Sequence, residues 1–211
     1  MKELFNNFVF GPVKDNMFMN LYKKDGSYLI DGRFVEGVVS VNVASCAIDS
    51  NGAEKKFFEL LDERMELAYE ALICRYRALL NVSSGVSPIH WQYGAITRID
   101  ESEKIDDYLK DGYANLVLGY AGLDEASHII DADNKMTIKT KILHFMNEKI
   151  KNWNKDNNLG VILYCDLNVG SKFVEKDLER FGLIKNITDK DSYDLDHELD
   201  LNNYQDQVFL Q

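Results

Sequence analysis

Two long stretches of this chain place apolar residues at three- and four-residue steps, while three short stretches carry them in dense runs. Phe57, Leu61, Met65, Ala68, Leu72, Tyr76 and Leu79 recur in the first way, and Lys55, Glu59, Glu63, Glu66 and Glu70 occupy the remaining side. Such spacing returns to one face of a 3.6-residue helix, which predicts an amphipathic helix over 53–80. Asn51, three positions ahead of Glu54, predicts a capping box at its start. Ile138, Ile142, Met146, Ile150 and Trp153 mark one face of a second helix over 133–157. Val174, Leu178 and Phe181 line a third, short helix, with Gly182 placed to end it in a left-handed conformation.

The dense runs lie at 37–43 (GVVSVNV), 116–120 (LVLGY) and 159–165 (LGVILYC), and each reads as a buried strand. Ser40 and Asn42 stand inside the first run and need hydrogen-bond partners there, so that strand is expected to line something polar. Turn-forming clusters sit at 23–27, 31–33 and 83–88, and a small helix is expected within 99–112, around Ile105, Tyr108 and Leu109. The order strand, helix, strand, helix, strand, helix predicts an α/β fold with largely parallel strands. Three segments follow: a loop-rich amino-terminal part over 1–35, an α/β body over 36–188, and an acidic tail over 189–211. There is no internal repeat and no low-complexity tract.

Composition narrows the function classes. Of 211 residues 45% are hydrophobic and 11% aromatic, enough for a packed core. A net charge of -11, from 24 basic and 35 acidic residues, argues against non-specific binding to nucleic acid or to an acidic membrane. No apolar run approaches the roughly 18–20 residues that span a bilayer, and the first residues lack the pattern of a secretory signal. Cys46, Cys74 and Cys165 are odd in number and far apart, which fits a reducing cytoplasm. Without a CxxC pair, and with four scattered histidines, no zinc site or other cofactor is expected.

Six stretches, taken in order, carry a resemblance. They are DGR at 31–33, the strand at 37–43, FFELLDER at 57–64, SPIHWQYGA at 87–95, LVLGYAGLDE at 116–125 and RFGLIKNITDK at 180–190. Together they resemble the anaerobic ribonucleoside-triphosphate reductases, the oxygen-sensitive glycyl-radical enzymes that make deoxynucleotides, over roughly residues 20–201. The resemblance implies a piece of the ten-stranded α/β barrel of the ribonucleotide-reductase and glycyl-radical fold. It also implies the family's chemistry: a glycyl radical takes hydrogen from a cysteine inside the barrel, the thiyl radical attacks the ribose 3′ position, and formate is the reductant in many members.

Departures from the family pattern fall on the chemistry. The radical cysteine belongs to an "MGCR" segment just before the DGR turn. Here residues 11–19 read GPVKDNMFM, with Val13, Lys14 or Asp15 at that position. Cys46 falls after the strand, where the family has an aliphatic residue. The phosphate-gripping "TPSES" loop is replaced by CDLNVG at 165–170, about two residues shorter. Asp166 there would repel a triphosphate. The "YYTNSFH" that should follow has become DSYDLDH at 191–197. A chain of this length is also expected to lack the nucleotide-sensing cone, the first half of the barrel, the four-cysteine zinc site and the radical glycine.

The resemblance therefore implies a truncated, degenerate relative that is inactive alone, with no catalytic residue assigned. Its expected partner is a second copy or a companion reductase chain, and an intact reductase on which it docks is the alternative. Ser40 and Asn42 are the candidates for retained contact with substrate, although satisfied strand residues would look the same in sequence. A surviving nucleotide pocket is the least favoured of these readings. Gly119 and Gly122 read as positions of close backbone approach, since no phosphate-loop pattern surrounds them. His90 and Trp91 read as packing residues. Cys165 is not expected to be a reactive thiol, because the adjacent Asp166 would raise its pKa. The acidic run Asp189, Asp191, Asp194, Asp196, Glu198 and Asp200 reads as a solvated tail, since it lacks the glycine turn of a calcium loop.

Overall fold

In the computed structural model, residues 33–110, 113–157, 159–166 and 168–193 are described. Strand β1 (Phe34–Asn42) runs directly into helix α1 (Val43–Asp49), and α2 (Glu54–Leu79) crosses back along the sheet. A 3-10 turn (Ser84–Val86), the short α3 (Pro88–Trp91) and a second 3-10 turn (Asp106–Tyr108) lead to β2 (Ala114–Ala121). Then come α4 (Leu123–Ile130), α5 (Lys135–Asn157), β3 (Gly160–Cys165) and α6 (Gly170–Phe181). The three strands form one parallel sheet in the order β1-β2-β3. This is the α/β arrangement that the alternation predicts. A closed ten-stranded barrel is not seen: the sheet has three strands among the described residues.

Helices α2 and α5 cover one face of the sheet. Phe57, Leu61, Met65 and Leu72 from α2, and Ile142, Met146 and Ile150 from α5, pack against Leu116, Leu118, Val161 and Leu163. Each such side chain contributes about 1.5–3 kcal/mol when taken out of water. Above this layer Tyr69 stacks on Trp153 with centroids 4.3 Å apart, and Lys149 bridges Asp62 and Glu66. On the other face Val117, Ile162 and Tyr164, with Val35, form a smaller cluster drawn from the strands. At the amino ends of the strands Trp91 packs with Ile105, Leu109 and Ala114, and meets Phe34 edge-on at 5.5 Å.

Several local expectations need correction. β1 ends at Asn42, and Val43 already belongs to α1, a helix not foreseen from the sequence; α4 is another. The capping box does not form: Asn51 has φ 51°, Gly52 has φ 73°, and the cap position is Ala53, with no side-chain bond. Asn51 is committed to a left-handed turn and cannot also cap α2. In α6 the buried positions are Gly170, Val174 and Asp177, while Leu178 is exposed. Gly182 has positive φ (76°), but its ψ of -168° lies outside the left-handed helical well. Residues 83–88, read from sequence as a turn-forming cluster, hold a 3-10 turn capped by Ser83 and the Pro88 start of α3. The turn at 23–27 and most of that at 31–33 lie outside the described residues, and Phe34 and Val35 belong to β1.

Candidate functional site at the carboxyl ends of the strands

Parallel α/β sheets present ligands to the crevice beyond the carboxyl ends of their strands. Alternation along β1 decides what faces it there. Val39 and Val41 pack toward α2 and α5, so Val38, Ser40 and Asn42 take the opposite face of the sheet. The Ser40 hydroxyl donates to Asp166 Oδ2 at 2.6 Å, reaching across β2 at Gly119. A Cβ at Gly119 would lie 2.1 Å from Ser40 Oγ and 3.2 Å from Asp166 Cβ, so only glycine permits this approach. Asp166 is buried, and its other oxygen accepts from the Asn168 backbone N–H at 3.1 Å.

Asn42 works in two directions. Its Oδ1 accepts from Ser45 N at 3.0 Å and so caps α1, while Nδ2 donates to Asp177 Oδ2 at 2.8 Å. Asp177, only 3% exposed, also accepts a short hydrogen bond from the Tyr193 hydroxyl. Burial first, then the Asp177 carboxylate, push the Tyr193 phenol well above its ordinary range. Tyr193 is seated between glycines: a Cβ at Gly122 would meet its ring at 3.3 Å, and one at Gly170 would meet its carbonyl at 3.0 Å. Lys190 adds an ion pair to the buried Glu125 at 2.8 Å. Residues 187–193 are therefore docked across the strand ends by Ile187, Lys190 and Tyr193. Of the tail expected from residue 189, the part beyond Tyr193 lies outside the described residues.

All three cysteines are among the described residues, and none stands on the face that carries Ser40 and Asn42. Cys46 is buried in α1, with its thiol donating to the Asn42 carbonyl at 3.4 Å. Burial pushes that thiol up to about 11; Asp49 and Asp177 add to the rise and Arg64 opposes it. Cys74 is exposed on α2. Cys165 follows Val161 and Leu163 on the α5 side of β3. Among the described residues no three His, Cys, Asp or Glu side chains gather to hold a metal, and no helix is long and apolar enough to cross a membrane.

Residues 15–209 match the family model described as anaerobic ribonucleoside-triphosphate reductase. The chain belongs to that family. It is 34% identical over 190 residues to the anaerobic ribonucleoside-triphosphate reductase of Enterobacteria phage T4, covering 86% of this chain and 31% of the relative. Against the reductase of Escherichia coli K12 the identity is 29% over 208 residues, covering 92% and 29%. The chain thus spans under a third of the length of the curated relatives it matches. Its fold is similar to the anaerobic ribonucleotide reductase of Thermotoga maritima with glycerol in the active site (TM-score 0.62, 14% identity, 83% of this chain and 28% of the other). The same reductase in complex with dATP and CTP superimposes with TM-score 0.59 at 15% identity.

Within this family member the structure brings Ser40 and Asn42 onto one face and gives each a carboxylate partner. Gly119 and Gly122 serve close backbone approach, toward Ser40 and Ala44 respectively. Trp91 is buried, and His90 is exposed, with Nδ1 2.6 Å from the Ser87 hydroxyl. Asp177 and Tyr193 were not singled out from sequence. The available signal was Asp177 itself, a carboxylate three residues after Val174 on the buried stripe of α6. Tyr193 gave none beyond being aromatic in an acidic stretch.

Proposed function

We propose that this chain forms part of the wall of a reductase-type α/β barrel and turns over no ribonucleotide by itself. Helices cover the outside of such a barrel, so the face opposite α2 and α5, with Ser40, Asn42, Gly119 and Asp166, is the one that would look inward. The observation that carries the reading is the placement of the three sulfurs, none of them on that face. Family chemistry needs a thiol there, because its S–H bond is weak enough to exchange hydrogen in both directions with a glycine Cα–H. Ser40 and Asn42 hold a residual place on the substrate side, and they are tied up by Asp166 and Asp177.

In this reading the chain acts in the cytoplasm with a companion reductase chain that supplies the radical cysteine. An intact reductase on which it docks, or a second copy, is the alternative. The family relationship supports another reductase chain as the partner. Although the Thermotoga maritima protein is described in complex with dATP and CTP, the buried Asp166 beyond β3 argues against a triphosphate grip here. The chain is to be co-expressed with an intact family member and, separately, with a chain carrying the cysteine loop and radical glycine. Stable co-purification with either supports the reading, and the chain eluting alone in both cases contradicts it. Calorimetry with CTP is expected to show no heat of binding by the isolated chain.

A further inference from the structure

Glu36, at the amino end of β1, takes no part in the network at the carboxyl ends. Val35 pairs with Asn115 and Gly37 with Leu116, so Glu36 is the extra residue of a β-bulge. It is 7% exposed, and neither carboxylate oxygen has a hydrogen-bond partner. An ionised carboxylate is strongly disfavoured in that state. Arg75, on α2, lies over the bulge, and its Nη2 donates to the Glu36 backbone carbonyl at 3.0 Å. Gly37 makes room for it: a Cβ there would fall 2.6 Å from the guanidinium carbon. Asn115, uncharged, stands opposite Val35 on β2, and Arg33 comes just before the strand. Burial pushes the Glu36 carboxyl up to about 7, and Arg75 opposes that rise without cancelling it.

We propose that Glu36 and Arg75 form a proton-gated latch on the bulge of β1. With the carboxyl neutral, the guanidinium holds the Glu36 carbonyl. Loss of one proton to solvent moves the guanidinium onto the carboxylate, exchanging a hydrogen bond to a neutral carbonyl for a charge-assisted pair. The bulge carbonyl is released, and the geometry of β1 between Val35 and Gly37 resets. β1 is an outer strand of the sheet among the described residues, so the latch acts on an edge. It stands independently of the reductase reading.

The test is a titration of the full chain from about pH 5 to about pH 9, following Glu36 Cδ, Arg75 Nε and the Gly37 amide by NMR. All three signals are expected to move with one midpoint near 7. In E36Q the Arg75 and Gly37 signals are expected to stay flat through that range. Glu36 titrating in the ordinary carboxylate range overturns the latch. So does an Arg75 signal that stays flat while Glu36 titrates. The wild-type titration decides the matter even if E36Q does not fold.

Discussion

At the scale of single residues, Gly119 shows how one absent Cβ sets a polar network. With Ser40 Oγ 2.1 Å from where that atom would be, Gly119→Ala must displace the hydroxyl that binds Asp166. The expected loss is about 1–3 kcal/mol in urea denaturation. Ser40→Ala alone should cost about 1 kcal/mol, and the double variant should cost less than the sum, because the clashing oxygen is gone. Glu36 supplies a pH dependence with a definite sign. Its folded pKa is raised from 4.5 to about 7, so the folded state holds a proton there that the unfolded chain has released. Stability from this group is complete below 4.5 and falls as pH rises through 7, by on the order of 3 kcal/mol. Glu36→Gln should flatten that slope in denaturation curves taken at successive pH values; an unchanged slope would assign it elsewhere. Ser40 and Asn42 were legible in sequence as polar residues in an apolar run, which must find partners. Their pairing with Asp166 and Asp177 was not, since those carboxylates lie 126 and 135 residues away and no local pattern joins them.

At the scale of elements, what the sequence shows depends on how one-sided the burial is. α2 and α5 bury one stripe and expose the rest, so their periodicity can be read directly. α1 cannot be read that way: Val43, Ala44, Ser45, Cys46 and Ala47 are all buried, and the apolar run of β1 continues into it without punctuation except Asn42. The capping-box pattern at 51–54 failed for a related reason. A tight turn through Asn51 and Gly52, both at positive φ, claims the residue that would have capped. The helix layer makes a contrast that thermal or chemical unfolding can check. Leu61→Ala, at a fully buried site in the core between helices and sheet, should cost about 2–5 kcal/mol. Leu67→Ala, on the same helix but 60% exposed, should change stability by no more than about 0.5 kcal/mol. Equal losses at both positions would mean that α2 presents a different face to the sheet.

At the scale of the whole molecule, three parallel strands and two long covering helices make a sheet layer that belongs to something larger in the family. The structure matches 28% of the Thermotoga maritima chain. Family membership was legible in six short stretches because they fall in the family's order along the chain, and the matched residues 15–209 enclose all of them. The barrel was not legible in the same way. Closure depends on strands beyond these three, and the crossovers β1–α2–β2 and β2–α5–β3 look alike in an open sheet and a closed one. If the face that carries Ser40, Asn42, Gly119 and Asp166 looks into a reductase-type barrel, as proposed, hydrogen-atom exchange requires sulfur there, and the three cysteines lie elsewhere. The most direct test is an anaerobic assay of the purified chain with a glycyl-radical activating enzyme, S-adenosylmethionine, formate and ribonucleoside triphosphate. The account predicts no deoxynucleotide above background; deoxynucleotide formed by the chain alone contradicts it.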